Sequence, residues 1–139
     1  MTLRFHSQSL PAARLVWHCP YISVFSSADG QRDDEDFREY LLLRMNGEDW
    51  SSDEHVVNEV SVVQKDHFEG WNVWKEKNKE GMDYTVEIRR EENTITMRTE
   101  NLGIALSSTT TILDGRENIY VAITGDLCAV TDIHILRNE

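Results

Sequence analysis

Four tryptophans, Trp17, Trp50, Trp71 and Trp74, stand out in a polar, acidic chain. An indole ring is costly to leave in water, yet it is also a broad, flat apolar surface on which a ligand can stack. Sugars present C–H faces to such rings, while neighbouring Asp, Glu, Asn, Gln or Arg side chains bond their hydroxyls. Small-molecule sites commonly have this make-up, mostly apolar with a few placed polar groups. Trp50 closes the turn-like stretch RMNGEDW, with Asp49, Asp53 and Glu54 beside it. Trp71 and Trp74 lie three apart in HFEGWNVWKE. We expect a stacking platform built from Trp50, Trp71 and Trp74. Packing of a helix against a sheet is the alternative use of the last two rings.

Tyr40 and Arg44 are the expected polar contacts of that platform. In EYLLLRM, strand alternation puts Tyr40, Leu42 and Arg44 on one face and Leu41, Leu43 and Met45 on the other. A strand apolar on both faces belongs in the middle of a sheet. Its arginine must then find a carboxylate, with Glu39, Glu59 and Glu87 as candidates, or point into a groove.

Other chemistry is less well provided for. His6, His18, His55, His67 and His134 show neither HxH nor HExxH spacing, whereas a zinc site needs three or four converging ligands. The run Asp33, Asp34, Glu35, Asp36 has the oxygen ligands calcium takes, but not in the order of an EF-hand loop. It reads first as a solvated loop and second as a structural calcium site; no other cofactor is expected. GxSxG, GxGxxG and GxxxxGK are all absent. A glycosidase needs two carboxylates about 5 to 9 Å apart, and the sequence singles out no such pair. A non-enzyme is therefore the expected class. Cys19 and Cys128 lack CxxC spacing and read either as two small buried hydrophobes or as one disulfide between the first and last strand regions. Such a long loop, once closed, would contribute about 4 to 5 kcal/mol in the entropic treatment.

The elements that must hold these residues are mostly strands. Alternation at period two is clear in DYTVEIRR, with Tyr84, Val86 and Ile88 on one face, and in TITMRTEN, with Ile95 and Met97 on one face. A turn at Glu-Glu-Asn joins them. LGIALSS places Leu102, Ile104 and Leu106 together, and the β-branched run STTT continues it. YISVFSS, EYLLLRM, HVVNEVSVV, NIYVAIT and AVTDIHIL complete the strand-like segments. Asp29-Gly30, Asn46-Gly47, Asp114-Gly115 and Gly125-Asp126 supply turns. One segment breaks the pattern: residues 67–79 read as a short helix, with Trp71, Trp74, Lys75 and Asn78 on one side and Gly81 as its cap. About nine strands and one helix predict an all-β, antiparallel sandwich of jelly-roll type. Neither a linker nor an internal repeat divides residues 1–139, so one domain is expected, with residues 1–15 loosely ordered.

Length and charge set the outer limits. A chain of 139 residues can build one core. Its formal net charge of -11 disfavours nucleic acid and anionic membranes, because both are bound largely through Lys and Arg. Neutral glycans, cations and basic protein surfaces remain as partners; nothing marks a strand for dimer formation. No stretch approaches the roughly 20 apolar residues of a membrane span. The N-terminal MTLRFHSQSLPAARLVW lacks the apolar core of a signal peptide, so the chain is expected to be cytoplasmic unless it is an excised domain.

Three segments resemble the concanavalin A-like and laminin-G-like jelly-roll carbohydrate-binding modules. EYLLLRMNGEDW is similar to their central strand running into an aromatic loop. YTVEIRREENTITMRTENLGI is similar to their paired strands and hairpin, and NIYVAITGDLCAVTDIHIL to their closing strands. The likeness runs from about Tyr21 onward and is one of architecture, with no specific motif behind it. It implies non-catalytic binding of polysaccharide on a concave sheet face or at loop tips, in some members with a structural calcium. The sequence therefore points to a carbohydrate-binding sandwich that stacks a neutral glycan on tryptophan. A protein-interaction or sensory sandwich is the second reading, and a small glycan-active enzyme the third.

Overall fold

Strand alternation in this sequence leaves most segments with one apolar edge, and such segments must pair in sheets and cover that edge. The computed structural model, which describes residues 1–28, 30, 36–51 and 53–137, does this with two antiparallel sheets packed face to face. Its elements are β1 (Thr2–Ser9), β2 (Pro20–Ser26), β3 (Arg38–Arg44), β4 (Asp49–Trp50), β5 (Val56–Gln64), α1 (Trp71–Glu80), β6 (Met82–Glu91), β7 (Thr94–Asn101), β8 (Ile104–Ile112), β9 (Tyr120–Gly125) and β10 (Cys128–Leu136). The larger sheet has six strands in the order β10-β1-β6-β7-β8-β5, and the smaller has four in the order β4-β3-β2-β9. β6, β7 and β8 form a meander, as the alternating runs and the Glu92–Asn93 turn require. The chain crosses between sheets after β1, β4, β8 and β9, and β1 pairs with β10 in one sheet while β2 pairs with β9 in the other.

The inward residues make one apolar core. Leu3, Phe5, Ile22, Val24, Leu41, Leu43, Met45, Val86, Met97 and Ile104 are all buried in it. Burying a side chain of this size is worth about 1.5 to 3 kcal/mol each, which is what holds the sheets together.

Three expectations need correction. Residues 1–15 are not loosely ordered throughout, because β1 runs between β10 and β6 with Leu3 and Phe5 in the core. The strand pattern is present in TLRFHSQS, but the inward positions Ser7 and Ser9 are polar and disguise it. Leu102 does not join Ile104 and Leu106; it sits in the β7–β8 turn with φ 48°. Gly103 follows with φ 88°, and a Cβ there would come within 2.7 Å of the Phe68 backbone, so the turn presses directly on the segment before the helix. The helix itself begins at Trp71, four residues later than expected, because Gly70 at φ 100° and ψ 162° holds a positive-φ, non-helical conformation that glycine adopts readily.

Gly81 closes that helix as expected, its amide donating to the Lys77 carbonyl at 3.1 Å. The helix lies against β1, over the end where the serines face inward. Among the described residues there are ten strands, the eight runs read from the sequence together with β1 and the two-residue β4. Asp29, Asp33, Asp34 and Glu35, in the predicted turn and acidic run, lie outside the described residues. No described helix is long and apolar enough to cross a membrane.

Candidate functional site

The turn at Asn46-Gly47 decides where Trp50 goes. Gly47 has φ 103°, a conformation that strains any other residue. A Cβ on it would lie 2.7 Å from a Val62 methyl, so the turn leans closely on β5. The Asn46 side chain closes the turn, donating to Glu48 Oε1 at 2.6 Å and accepting from the Glu48 amide at 3.1 Å. The chain then doubles back with the Arg44 amide donating to the Glu48 carbonyl at 2.8 Å, and β4 pairs with β3 so that Trp50 stands opposite Leu42. β4 is the edge of the smaller sheet, and its ring finds no cover there. Trp50 is 57% exposed.

A groove of about 400 Å³ opens beside this ring, lined by Glu39, Leu42, Arg44, Glu48, Asp49 and Trp50. Glu39 is held from below by the Ser23 hydroxyl, which donates to Oε2 at 2.6 Å. Arg44 is anchored at the other end. Its Nη1 donates to Asp126 Oδ2 and to the Trp17 carbonyl, both at 2.7 Å, and its guanidinium lies 5.4 Å from the centre of the Tyr21 ring. The expected partners Glu39, Glu59 and Glu87 are not the ones used. Asp126 comes from the β9–β10 turn, remote in sequence, and the pairing of β2 with β9 carries it to the Arg44 end of the sheet. Trp17, 40% exposed, adds a second indole near that end.

The other three predicted contacts lie elsewhere. Trp74 is 1% exposed and belongs to the core. Its indole Nε1 donates to Asn101 Oδ1 at 2.7 Å, and Asn101 in turn donates to the Met45 carbonyl at 3.5 Å. One turn on, Asn78 donates to the Trp74 carbonyl at 2.8 Å and accepts a short hydrogen bond from the Tyr84 hydroxyl. A buried polar atom is costly unless paired, and here each one is paired. Trp74 plugs the end of the sandwich and has no face to offer a sugar. Trp71 is half-buried, edge-on to both Phe68 and Trp74 with ring centres 5.0 and 5.5 Å away.

Tyr40 is also buried, because β3 carries an irregularity. Val24 faces Leu41 while Phe25 faces Glu39, so Tyr40 is the extra residue between them. Such a bulge breaks the alternation and turns Tyr40 inward with Leu41. Its hydroxyl donates to Asp114 Oδ2 at 2.7 Å.

Asp114 is the hub of a second polar cluster, at the sandwich end that gathers the segment before β3, the β4–β5 connection and the β8–β9 connection. Arg38 Nη1 donates to the same Oδ2 at 2.8 Å, while Arg38 Nε lies 3.3 Å from Asp53. The Arg116 amide donates to Asp114 Oδ1 at 3.2 Å, and the Arg116 guanidinium holds Asp36 at 2.7 Å. Burial by itself would raise the Asp114 carboxyl, but hydrogen bonds from Tyr40, the Arg116 amide and Arg38 outweigh it and hold it below the usual carboxylate range. Burial first, then the bond to Asp114, pushes the Tyr40 phenol up. Every charge in this cluster has a partner inside it, so its role is to tie three connections together. Sequence reasoning missed it, since Asp114 was legible only as a turn residue.

The remaining predicted groups behave as follows. Cys19 and Cys128 are free thiols, so the disulfide is not formed. Burial is the main cause that pushes the Cys19 thiol up to about 12. Asp36, the one described member of the acidic run, is bonded to Arg116. Among the described residues, no three His, Cys, Asp or Glu side chains gather in a way that could hold a metal ion.

The outer face of the larger sheet offers a contrast. It has a groove of about 320 Å³ lined by Glu87, Arg89, Glu91, Thr94, Thr96 and Arg98, without an aromatic ring. Trp50 is the most exposed of the four indoles, and the β3–β4 hairpin sets it beside Glu39, Arg44, Glu48 and Asp49. No family model, no curated protein sequence and no solved structure matches the chain.

Proposed function

We propose that the protein is a non-catalytic carbohydrate-binding sandwich whose site is the β3–β4 groove on the outer face of the smaller sheet. The observation that carries this reading is Trp50, more than half exposed on a rigid hairpin, with Glu39, Glu48 and Asp49 beside it. The ring takes the C–H face of a sugar, and the carboxylates accept from its hydroxyls. Arg44 stands at the end of the groove, fixed by Asp126 and Tyr21, and donates to a ring or hydroxyl oxygen. This arrangement is narrower than the platform read from sequence: Trp50 and Arg44 stay in it, while Trp71, Trp74 and Tyr40 leave it. The absence of phosphate-directed lysine in the groove and the net charge of -11 favour a neutral glycan over an anionic one. Titration with soluble glucan, xylan, mannan and pectin, followed by tryptophan fluorescence, tests the reading. A saturable shift with one of them is expected, and no shift with any would contradict it.

A protein-interaction module is the second reading, and a separate observation favours it. The edge strand β10 exposes Ile133 and Ile135 on one face and Leu136 on the other, beside an open strand edge. Gel filtration at two concentrations distinguishes the two, because self-association through β10 does not need Trp50.

A further inference from the structure

The gap between the two sheets is not closed at every side. Where β9 lies over β6 and β7, a crevice of about 460 Å³ opens, lined by the side chains of Met1, Ile88, Ile95, Ile119 and Val121. That volume is within the range of about 300 to 1,000 Å³ usual for small-molecule sites. Ile88 and Ile95 form its floor and are nearly fully buried, whereas Ile119 and Val121 are only partly covered. The crevice is thus an unfilled continuation of the core that reaches solvent.

Its mouth carries a charge. Tyr84, Val86 and Ile88 are the inward positions of β6, and Arg90, opposite Ile95 of β7, follows them at the exposed end of the strand. Arg90 donates through Nε to the Glu92 carbonyl at 2.9 Å and through Nη1 to the Glu117 carbonyl at 2.7 Å. Both acceptors are neutral. Among the described residues, no carboxylate forms an ion pair with Arg90, in a chain where acids outnumber bases by 25 to 14. Two of its five N–H groups are spent, which leaves one on Nη1 and both on Nη2, the end of the fork, without a partner among the described residues. Arg89 and Glu91 flank it with opposite charges, and the Met1 ammonium, which donates to the Ile88 carbonyl at 2.9 Å, also borders the crevice.

We propose that this crevice binds a medium-chain fatty acid, its hydrocarbon tail between Ile88, Ile95, Ile119 and Val121 and its carboxylate on Arg90. A planar carboxylate matches the guanidinium fork in two parallel hydrogen bonds. A singly charged head suits the site better than a phosphate dianion, which Glu91 and the overall negative field repel. The site is separate from the Trp50 groove, on the other side of the smaller sheet's strands.

Binding of hexanoate, octanoate and decanoate, followed by the methyl signals of Ile88, Ile95, Ile119 and Val121, provides the test. Affinity is expected to rise about fourfold per buried methylene until the crevice is full. Decanol should bind at least tenfold more weakly than decanoate, and Arg90→Gln should remove that preference while the fold, checked by circular dichroism, is kept. Val121→Trp should fill the crevice and abolish binding. No binding of decanoate, affinity independent of chain length, or equal affinity for decanol and decanoate would each overturn the proposal. So would unchanged decanoate binding by folded Arg90→Gln.

Discussion

Trp74 and Trp50 are the same side chain put to opposite uses, and the difference lies in what surrounds the indole N–H. Trp74 points from α1 into the end of the sandwich, where Asn101 of β7 accepts from it and Asn78 ties the helix backbone to Tyr84. Trp50 stands on a two-residue edge strand with no described strand beyond it, and more than half of its surface meets solvent. A tryptophan is buried where a polar partner waits inside the core. Where the sheet ends, it is left available. The helix segment that attracts attention in the sequence therefore packs into the core, and the plain-looking RMNGEDW turn carries the proposed binding surface.

The largest way to break this comparison is Trp74→Ala. It empties the plug and strands Asn101, and should cost about 3 to 5 kcal/mol, seen as a large drop in thermal midpoint. Raising the pH attacks the same buried region by another route. The Cys19 thiol titrates near 9 when unfolded and is pushed up to about 12 in the fold, with Tyr84 shifted the same way. Stability is thus fully present below about pH 9 and is lost as the pH rises toward 12. The unfolding free energy from urea titration should fall by an amount on the order of 2 kcal/mol between about pH 8 and pH 11. Asn101→Ala keeps the ring but leaves its buried N–H without a partner, at about 1 to 3 kcal/mol. An unchanged midpoint would show that packing, not the hydrogen bond, holds Trp74.

Tyr40 sharpens the comparison, since it is a predicted contact that turned out buried. Tyr40→Phe removes one bond to Asp114 and should cost about 1 kcal/mol near neutral pH. Because the Asp114 carboxyl is held low in the fold, its contribution is present above the ordinary carboxylate range and is lost as the pH falls through the folded value. Part of that acid sensitivity should disappear in Asp114→Asn, measured as a flatter stability profile below about pH 4. The smallest effect belongs to Trp50→Ala, whose stability should stay within about 0.5 kcal/mol of wild type.

The sheets were legible because their inward positions are chemically uniform. Tyr84, Val86 and Ile88, then Ile95 and Met97, alternate cleanly, and all are buried as the alternation requires. β1 was obscured because two of its inward positions are serines. Tyr40 was misplaced because a bulge is an insertion in spacing, and alternation counts residues without knowing which one is extra. The Arg44–Asp126 and Trp74–Asn101 pairs join residues far apart in sequence, so only the strand order can bring them together. The exposure of Trp50 was legible for a local reason: a glycine turn next to a short acidic segment ends a strand and leaves Glu48, Asp49 and Trp50 on the surface.

The claim that Trp50, not the helix tryptophans, meets the ligand has a direct test. Isothermal titration of wild type, Trp50→Ala and Trp71→Ala with the glycan that gives the strongest fluorescence shift compares the three rings' roles at once. The account predicts at least a tenfold loss of affinity in Trp50→Ala and near wild-type affinity in Trp71→Ala. Undiminished binding by a folded Trp50→Ala, or a loss confined to Trp71→Ala, would contradict it.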